Sequence, residues 1–236
     1  MAARKAKHSS PSRRATRTLV RAIDRLLARE YGRRPPASKR PEPLDSLVRT
    51  ILSQNTSGVN SARAFENLRR RFPSWDSAAQ APVREIAQAI RVGGLANTKA
   101  PRIRAILRAL RQARGRCDLS HIKRMAPDQA IRFLCQLPGV GVKTAACVVL
   151  FSLGKPAFPV DTHVLRVSKR LGLIPQRCTA ERAHKLLAPL VPDELKLQLH
   201  LNMIAHGRAR CRPRNPRCAG CPVAKYCTYF AAGEAR

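Results

Sequence analysis

Apolar residues recur at helical spacing along most of the chain. Between Thr16 and Tyr31, leucine and isoleucine side chains stand three or four positions apart, which is the period of one helix face. The same spacing predicts further helices over Leu44–Leu52, Val59–Phe72, Ala100–Arg114, Asp128–Leu134, His163–Leu171, Thr179–Leu190 and Pro192–Arg208, and one that begins near Val142. Alternating β-branched segments are nearly absent. The pattern predicts an all-α protein of about ten short helices.

Two segments near the N-terminus lack this pattern. Met1 to Ala15 is basic and free of acidic residues, and we interpret residues 1–15 as a disordered arm that adds phosphate contacts. Gly32–Pro43 is too rich in proline to be helical and is predicted to be a linker. The arm also resembles an organelle transit peptide. Because no apolar signal-peptide core is visible, we expect a cytoplasmic protein at the bacterial nucleoid, with organelle targeting as the alternative.

The charge balance indicates a polyanionic partner. Lysine and arginine number 46 and aspartate and glutamate 14, which gives a net charge of +32. Such an excess favours nucleic acid. A membrane surface is the alternative, but no apolar stretch approaches the roughly 20 residues that span a bilayer.

A glycine-containing turn separates two of the predicted helices. In residues 137–141, Leu-Pro-Gly-Val-Gly, the glycines allow close approach by another molecule, and the next helix directs its free N–H groups at the turn. Gly139, Val140 and Gly141 therefore predict a site for a DNA phosphate. An ordinary corner between helices is the alternative. Lys143 follows in the first helical turn, where the helix dipole and apolar neighbours favour a neutral, nucleophilic amine; otherwise it is a second phosphate contact.

Asp161 is the next candidate for a chemical role. A ten-residue helix carries the chain about 15 Å from Lys143, and Gly154–Val160 can span up to about 23 Å on the way back. We therefore expect Asp161 to lie beside Lys143, where it could hold the amine, accept a proton or stabilise a cationic sugar. It is also suited to cap the helix that starts at Thr162, and both roles can hold.

Four cysteines near the C-terminus have the spacing C-x6-C-x2-C-x5-C. Four thiolates in so short a span indicate a metal centre. One close pair with two outliers favours an iron–sulfur cluster over zinc, which usually takes two close pairs. The predicted ligands are Cys211, Cys218, Cys221 and Cys227.

The loop between the first two of these cysteines is basic and stiffened by proline. Its sequence is Arg-Pro-Arg-Asn-Pro-Arg, over Arg212–Arg217. We expect Arg212, Arg214 and Arg217 to meet DNA phosphates.

The glycine turn, the lysine, the aspartate and the cysteine run occur together and in order. The segments LPGVGVKTA, VDTHV and HGR and the cysteine spacing resemble the endonuclease III family of DNA glycosylases and abasic-site lyases, over about Leu44 to Cys227. The resemblance implies two helical domains that flank a DNA cleft. Residues 43–155 would form a six-helix barrel that bears the helix–hairpin–helix. Residues 16–42, a helix and linker, would join residues 156–236 in an iron–sulfur cluster domain.

The resemblance also implies an activity. Lys143 matches the family's nucleophile, which attacks the sugar C1′ of a flipped nucleotide and cleaves the strand by β-elimination. Asp161 matches the catalytic carboxylate. The four cysteines would hold one 4Fe–4S cluster. The expected partner is double-stranded DNA with oxidised pyrimidines or abasic sites, bound by a monomer.

Two loops match the elements that fill the gap left by a flipped base. In LSQNTS, Gln54 or Asn55 would enter the base stack, and in GLANTK, Leu95 would act as a wedge from the other side. Two positions depart from the family's pattern. Asn55 stands where relatives often have glutamine, and Cys135 stands where we expect an acidic residue.

Two other interpretations compete with this one. A mismatch glycosylase of the same superfamily is disfavoured because the adenine-specific type lacks the lysine and carries a glutamate before the wedge, whereas Lys143 is present and Ser46–Ser57 contains no carboxylate. A thymine-specific type would also usually replace the lysine. A non-catalytic DNA-binding module is disfavoured because phosphate binding needs no carboxylate such as Asp161.

Overall fold

The computed structural model describes residues 13–233, which divide into two units of packed helices. Unit 1 combines the described parts of Met1–Pro35 and Val160–Arg236, and unit 2 is Pro36–Pro159. Every regular element within residues 13–233 is helical, which confirms the all-α prediction. No helix in this part of the chain is long and apolar enough to cross a membrane.

Unit 2 contains the glycine turn and both wedge loops. Its α-helices are α2 (Pro43–Leu52), α3 (Gly58–Arg71), α4 (Trp75–Gln80), α5 (Val83–Ala89), α6 (Ala96–Arg114), α7 (Pro127–Cys135) and α8 (Val142–Phe151), with 3₁₀ turns at Arg91–Gly93 and Ser120–Arg124. The aliphatic faces of α2, α6 and α8 meet in its core, where Leu47, Ile51, Ile103 and Val148 are at most 1% exposed. Burial of these apolar faces is the main stabilising term for such a unit.

The resemblance predicts six helices in this unit, and the structure has seven. The apolar pattern predicts no helix between Phe72 and Ala96, where α4 and α5 lie. Pro82 separates these two because the residue before a proline is pushed out of the helical region, and Ala81 is extended with ψ 150°. Helices of six and seven residues are too short to show two full apolar periods.

The domain boundaries differ from those predicted at both ends of unit 2. Residues 36–42, predicted to belong with the first helix, lie in unit 2. Ser152 Oγ donates to the Pro41 carbonyl oxygen at 2.8 Å, and Lys123 pairs with Glu42 at 2.7 Å. Residues 156–159 also belong to unit 2 rather than to the predicted cluster domain.

Unit 1 contains the cysteine run. Its α-helices are α1 (Arg13–Tyr31), α9 (Thr162–Arg170), α10 (Ala180–Leu190), α11 (Lys196–Ala209) and α12 (Thr228–Ala231), with 3₁₀ turns at Asp193–Leu195 and Ala224–Tyr226. α11 packs against both α1 and α9. Ile23 and Leu27 of α1 and Met203 of α11 are fully buried, so the N-terminal helix shares a core with the C-terminal third of the chain.

Two helices begin three or four residues earlier than predicted. α1 begins at Arg13, so the last three residues assigned to the basic arm are helical, and residues 1–12 lie outside the described residues. α6 begins at Ala96 rather than at Ala100 and carries Pro101 inside it. Its first turn, Ala-Asn-Thr-Lys, is mostly polar and so gives no apolar period from which to predict a helix.

Candidate active site

The turn between α7 and α8 has a glycine in the left-handed region. Gly139 has a φ of +70°, and a Cβ there would lie 2.9 Å from Nε of Arg102, so both the backbone and the available space favour glycine. Gly141 is extended and precedes Val142, the first residue of α8, as predicted. Gly139 and Gly141 are exposed, but the side chain of Val140 is only 5% exposed. Val140 can therefore offer DNA only its backbone.

The N-terminus of α8 is open toward this turn. The first backbone bond of the helix runs from the Ala145 N–H to the Gly141 carbonyl oxygen at 3.0 Å, so the N–H groups of residues 142–144 have no partner within the helix. No side chain in the described part of the chain caps them. Lys143 lies in this first turn and is half-buried. The arrangement can accept an anion on the backbone beside a primary amine.

A short chain of polar contacts runs beside the nucleophile candidate. Arg102 Nη1 donates to Gln54 Oε1 at 3.0 Å, and Gln54 Nε2 donates to Thr144 Oγ1 at 3.4 Å. Burial lowers the pKa of Arg102. These contacts occupy the side-chain amide of Gln54 within unit 2. Sequence reasoning missed Arg102, because one arginine among many on an amphipathic helix carries no distinguishing pattern.

Asn55, the residue after Gln54, is exposed to solvent. Its φ of +51° makes it one of few non-glycine residues in the left-handed region. Thr56 Oγ1 donates to the carbonyl oxygen of Gln54 at 3.2 Å, and Ser57 caps α3 by accepting from the Asn60 N–H at 3.2 Å. Of the two residues predicted to enter the base stack, the structure favours Asn55.

Leu95, the other predicted wedge, is an exposed apolar side chain on a strained backbone. It has a φ of +52° directly before α6, and 53% of its surface is exposed. Leucine in this conformation costs roughly 1–2 kcal/mol. Strain together with an exposed large apolar side chain is typical of a functional position.

Asp161 belongs to unit 1 and caps α9. Its Oδ1 accepts from the Val164 N–H at 2.8 Å, which confirms the capping role. Because Lys143 belongs to unit 2, the predicted approach of Asp161 to Lys143 stays a prediction. The next residue but one, His163, has its pKa lowered mainly by burial.

The four predicted ligands line one cavity of unit 1. They are Cys211, Cys218, Cys221 and Cys227. Burial, and then the charge of neighbouring thiolates, raises the pKa of Cys218, and burial also raises the pKa of Cys221. Thiolates in this cavity therefore need a cationic partner.

The chemistry of the donor set suits a metal centre, because four thiols line one cavity. Among the residues that the structure describes, no three His, Cys, Asp or Glu side chains are close enough to ligate one metal ion.

Two arginines of α9 hold the cysteine run in place. Arg166 Nε donates to the Cys211 carbonyl oxygen at 2.8 Å. Arg170 donates to Cys211 Sγ at 3.3 Å and to the carbonyl oxygens of Arg212 at 2.7 Å and Pro213 at 3.1 Å. Sequence reasoning missed both arginines, although their spacing of four residues places them on one helix face.

The basic loop presents its charges to solvent. Arg212, Arg214 and Arg217 are all exposed, and Asn215 between them has a φ of +48°. None of the three pairs with an acid among the described residues. The three side chains can therefore meet phosphates without first breaking an ion pair.

The comparisons with known proteins agree with this geometry. The profile of the HhH-GPD superfamily of base excision DNA repair proteins matches residues 48–193, which is more than half of the chain. Endonuclease III of Thermotoga maritima is 35% identical over 214 residues, which cover 89% of this chain and 96% of that protein. This chain belongs to the endonuclease III family. The resemblance that its motifs carry is thereby confirmed.

Two further comparisons extend the match. A protein of Arabidopsis thaliana named as a candidate DNA glycosylase is 41% identical over 165 residues, or 70% of this chain. The match spans only 56% of that plant relative's length. A solved structure of a trapped covalent intermediate between endonuclease III and DNA aligns with a TM-score of 0.76 and 27% identity, over 96% of this chain and 100% of that one.

Proposed function

We propose that this family member is a bifunctional DNA glycosylase and abasic-site lyase of base excision repair, with Lys143 as its nucleophile. The observation that carries the proposal is the half-buried primary amine of Lys143 at the open N-terminus of α8, directly after a turn in which Gly139 is left-handed. Backbone N–H groups can hold a DNA phosphate while the amine reaches the adjacent sugar.

The reaction needs no oxidant or reductant. The lone pair of Lys143 Nζ forms a bond to the sugar C1′ while the bond from C1′ to the base breaks, and the base leaves with that electron pair and gains a proton. Loss of a proton from nitrogen and opening of the sugar ring give an imine. Removal of a proton from C2′ then expels the 3′ oxygen with its phosphate, and water hydrolyses the imine to restore the amine.

Asp161 is the proposed carboxylate of this reaction. Its Oδ1 already accepts from the Val164 N–H, so its position is fixed before DNA binds. In the proposed role it would accept a proton from the amine or stabilise positive charge that develops on the sugar.

The proposed partner is double-stranded DNA that contains a damaged base or an abasic site, bound by a monomer. The exposed Asn55 and Leu95 would fill the gap that a flipped nucleotide leaves in the duplex. The exposed arginines of the 212–217 loop would contact phosphates. With a net charge of +32, binding should weaken steeply with salt, with a slope of about −0.9 per phosphate contacted.

One 4Fe–4S cluster is the proposed cofactor of unit 1, held by the four cysteines of the run. When bound, the cluster would supply iron to the four thiolates. It would thereby cross-link the two ends of the basic loop to the segment that ends at Cys227. Purified protein should contain about four irons and four sulfides per chain. One zinc per chain without iron would refute this part of the proposal.

The proposed order of substrates on duplex DNA follows from the cost of extrusion. Abasic sites come first because no base has to be extruded. Oxidised pyrimidines such as thymine glycol come second, because they have lost planarity and unstack at low cost. Normal and oxidised purines come last. Single-stranded substrates should be poorer, because there is no base stack for the wedge residues to fill.

Borohydride trapping tests the proposal. The wild-type protein should crosslink to an abasic duplex, Lys143→Ala should abolish the crosslink, and Lys185→Ala, at a side chain 77% exposed on α10, should not change it. Crosslinking by Lys143→Ala at the wild-type yield would exclude Lys143 as the nucleophile. A single-turnover panel then tests the substrate order. Preferential cleavage at 8-oxoguanine, or removal of undamaged adenine or thymine from mismatches ahead of thymine glycol, would assign the chain to another branch of the superfamily.

A further inference from the structure

Lys99 is a buried lysine in the first turns of α6, and it is only 4% exposed. Its Nζ donates to the Leu52 carbonyl oxygen at 2.8 Å, to Thr56 Oγ1 at 2.7 Å and to the Gly93 carbonyl oxygen at 3.0 Å. An ammonium group has three N–H donors, so every donor of Lys99 is used.

The environment of this lysine is unusual because its partners are all neutral. No carboxylate in the described part of the chain forms an ion pair with Lys99. Burial lowers its pKa. A buried charge without a counter-charge costs free energy, and an apolar side chain of similar size would fill the space at lower cost. The position therefore calls for an explanation beyond packing.

Two of the acceptors flank Asn55, one at the last residue of α2 and one on the loop that follows it. Leu52 and Thr56 bracket Asn55, and both accept from Lys99. Thr56 Oγ1 also donates to the Gln54 carbonyl oxygen at 3.2 Å. The backbone is thus anchored on both sides of the left-handed residue.

The third acceptor lies on the loop that carries Leu95. Besides the bond from Nζ to Gly93, the backbone N–H of Lys99 donates to the Leu95 carbonyl oxygen at 2.9 Å. Thr56 Oγ1 also makes a short contact with the Gly93 carbonyl oxygen. A Cβ on Gly93 would lie 2.9 Å from Cβ of Ala64, so this backbone is pressed against α3. One lysine therefore connects both wedge loops.

We propose that Lys99 is a positioning residue that holds the Asn55 and Leu95 loops in the geometry that fills the gap left by a flipped nucleotide. The inference rests on the proposed function and deepens it. Asn55 and Leu95 have φ of +51° and +52°, a region that non-glycine residues leave unless their surroundings fix them. A cation suits this role because it binds three oxygens at once, and burial keeps water from replacing it.

The test is Lys99→Met, which keeps the length of the side chain and removes the three donors. Borohydride trapping is measured on an abasic site in a duplex and on the same site in a single strand. The wedge residues have a base stack to fill only in the duplex. The ratio of duplex to single-strand trapping rates should therefore fall by about tenfold or more, which is the size of effect expected when a substrate-positioning group is misplaced. Because both rates come from one preparation, loss of folded protein cancels in the ratio.

Lys196→Met is the matched control. Lys196 is also buried, at 7% exposed, but it lies in unit 1 and pairs with Asp193 at 2.8 Å. The Lys196→Met variant removes the same charge from the other unit, so its ratio of duplex to single-strand trapping should equal that of the wild type. Thr56→Val is a milder second variant, which keeps the side-chain shape and removes one acceptor. It should lower the ratio in the same direction even if Lys99→Met fails to fold.

The outcomes separate this inference from the proposed function. If the wild type traps on both substrates and neither Lys99→Met nor Thr56→Val changes the ratio, Lys99 has no positioning role and the proposed activity stands. An equal fall for Lys196→Met would mean that loss of any buried cation suffices, which also overturns the inference. If the wild type shows no Lys143-dependent trapping at all, the proposed function itself fails.

Discussion

Gly139→Ala perturbs the turn before Lys143 in a way that a second glycine allows us to calibrate. Gly139 and Gly115 have nearly the same φ, at +70° and +74°. A Cβ on Gly139 would lie 2.9 Å from Nε of Arg102, whereas a Cβ on Gly115 would meet nothing within 4 Å. Gly115→Ala therefore measures the backbone cost alone, and Gly139→Ala measures the same cost plus the displacement of Arg102.

The two costs can be estimated from the structure. Placing alanine in the left-handed region costs roughly 1–2 kcal/mol in either variant. Moving Arg102 also breaks its 3.0 Å hydrogen bond to Gln54. Loss of such a bond costs about 1 kcal/mol. We expect the free energy of unfolding to fall by roughly 1 kcal/mol more for Gly139→Ala than for Gly115→Ala. Only Gly139→Ala should also slow trapping on an abasic duplex, because Gln54 contacts Thr144 beside the nucleophile.

Denaturant unfolding tests this reasoning on five proteins: the wild type, Gly115→Ala, Gly139→Ala, Arg102→Met and the double variant of positions 139 and 102. Arg102→Met removes the side chain's hydrogen bond in advance, so Gly139→Ala introduced into that background should cost no more than Gly115→Ala. The coupling energy between positions 139 and 102 should be about 1 kcal/mol. If the extra cost of Gly139→Ala is unchanged in the Arg102→Met background, displacement of Arg102 is not its cause and the argument fails.

Three further predictions concern unit 1. Arg170→Met should loosen the basic loop and lower the salt slope of DNA binding by about 0.9 for each phosphate that the loop no longer binds. Lys169→Met, on the same helix, should remove at most the one phosphate contact that Lys169 itself makes. Equal slopes for the two variants in a salt titration would contradict the role of Arg170. Asp161→Ala should cost about 1 kcal/mol of unfolding free energy because the helix cap is removed, whereas Asp161→Asn should keep the cap and yet lower single-turnover rates by orders of magnitude. Burial raises the pKa of Asp24 above its ordinary 3.8, so the folded state binds this proton more tightly than the unfolded state does. Stability therefore falls as pH rises from the ordinary pKa through the raised pKa of the folded state. Asp24→Asn should remove this fall and stabilise the protein at neutral pH, as melting curves between pH 4 and 7 would show.

The sequence predicted the longer helices well because their apolar faces repeat several times. α2, α3, α6 and α10 all lie within a few residues of their predicted bounds. The prediction failed where a helix is too short to repeat, as in α4, and it placed the start of α6 four residues late because the first turn of that helix is polar. The prolines of the segment before α2 predict a linker. Its packing on unit 2 depends on single contacts such as that between Glu42 and Lys123, which no local pattern reveals.

The candidate site was predictable where chemistry imposes a spacing. The glycine turn, the cysteine run and the capping aspartate are each local patterns. Sequence alone could not decide whether Gln54 or Asn55 enters the base stack. The distinction depends on the long-range contacts of Gln54 with Arg102 and Thr144. Lys99 was missed for a similar reason. In the sequence it is one of 46 basic residues, and only the fold shows that it is buried between two loops.

The partners of two cations on α6 bear on how the protein meets DNA. The buried Lys99 and the half-buried Arg102 stand three positions apart, and their acceptors are carbonyl, hydroxyl and amide oxygens. A neutral acceptor satisfies the hydrogen bonds of a cation but leaves its charge uncancelled. Because the interior screens charge less than water does, these two groups add to the positive potential of unit 2 although neither is fully exposed to solvent. Lys99→Met and Arg102→Met should therefore slow association with DNA at low salt, and this effect on the association rate should vanish at high salt, where the long-range attraction is screened.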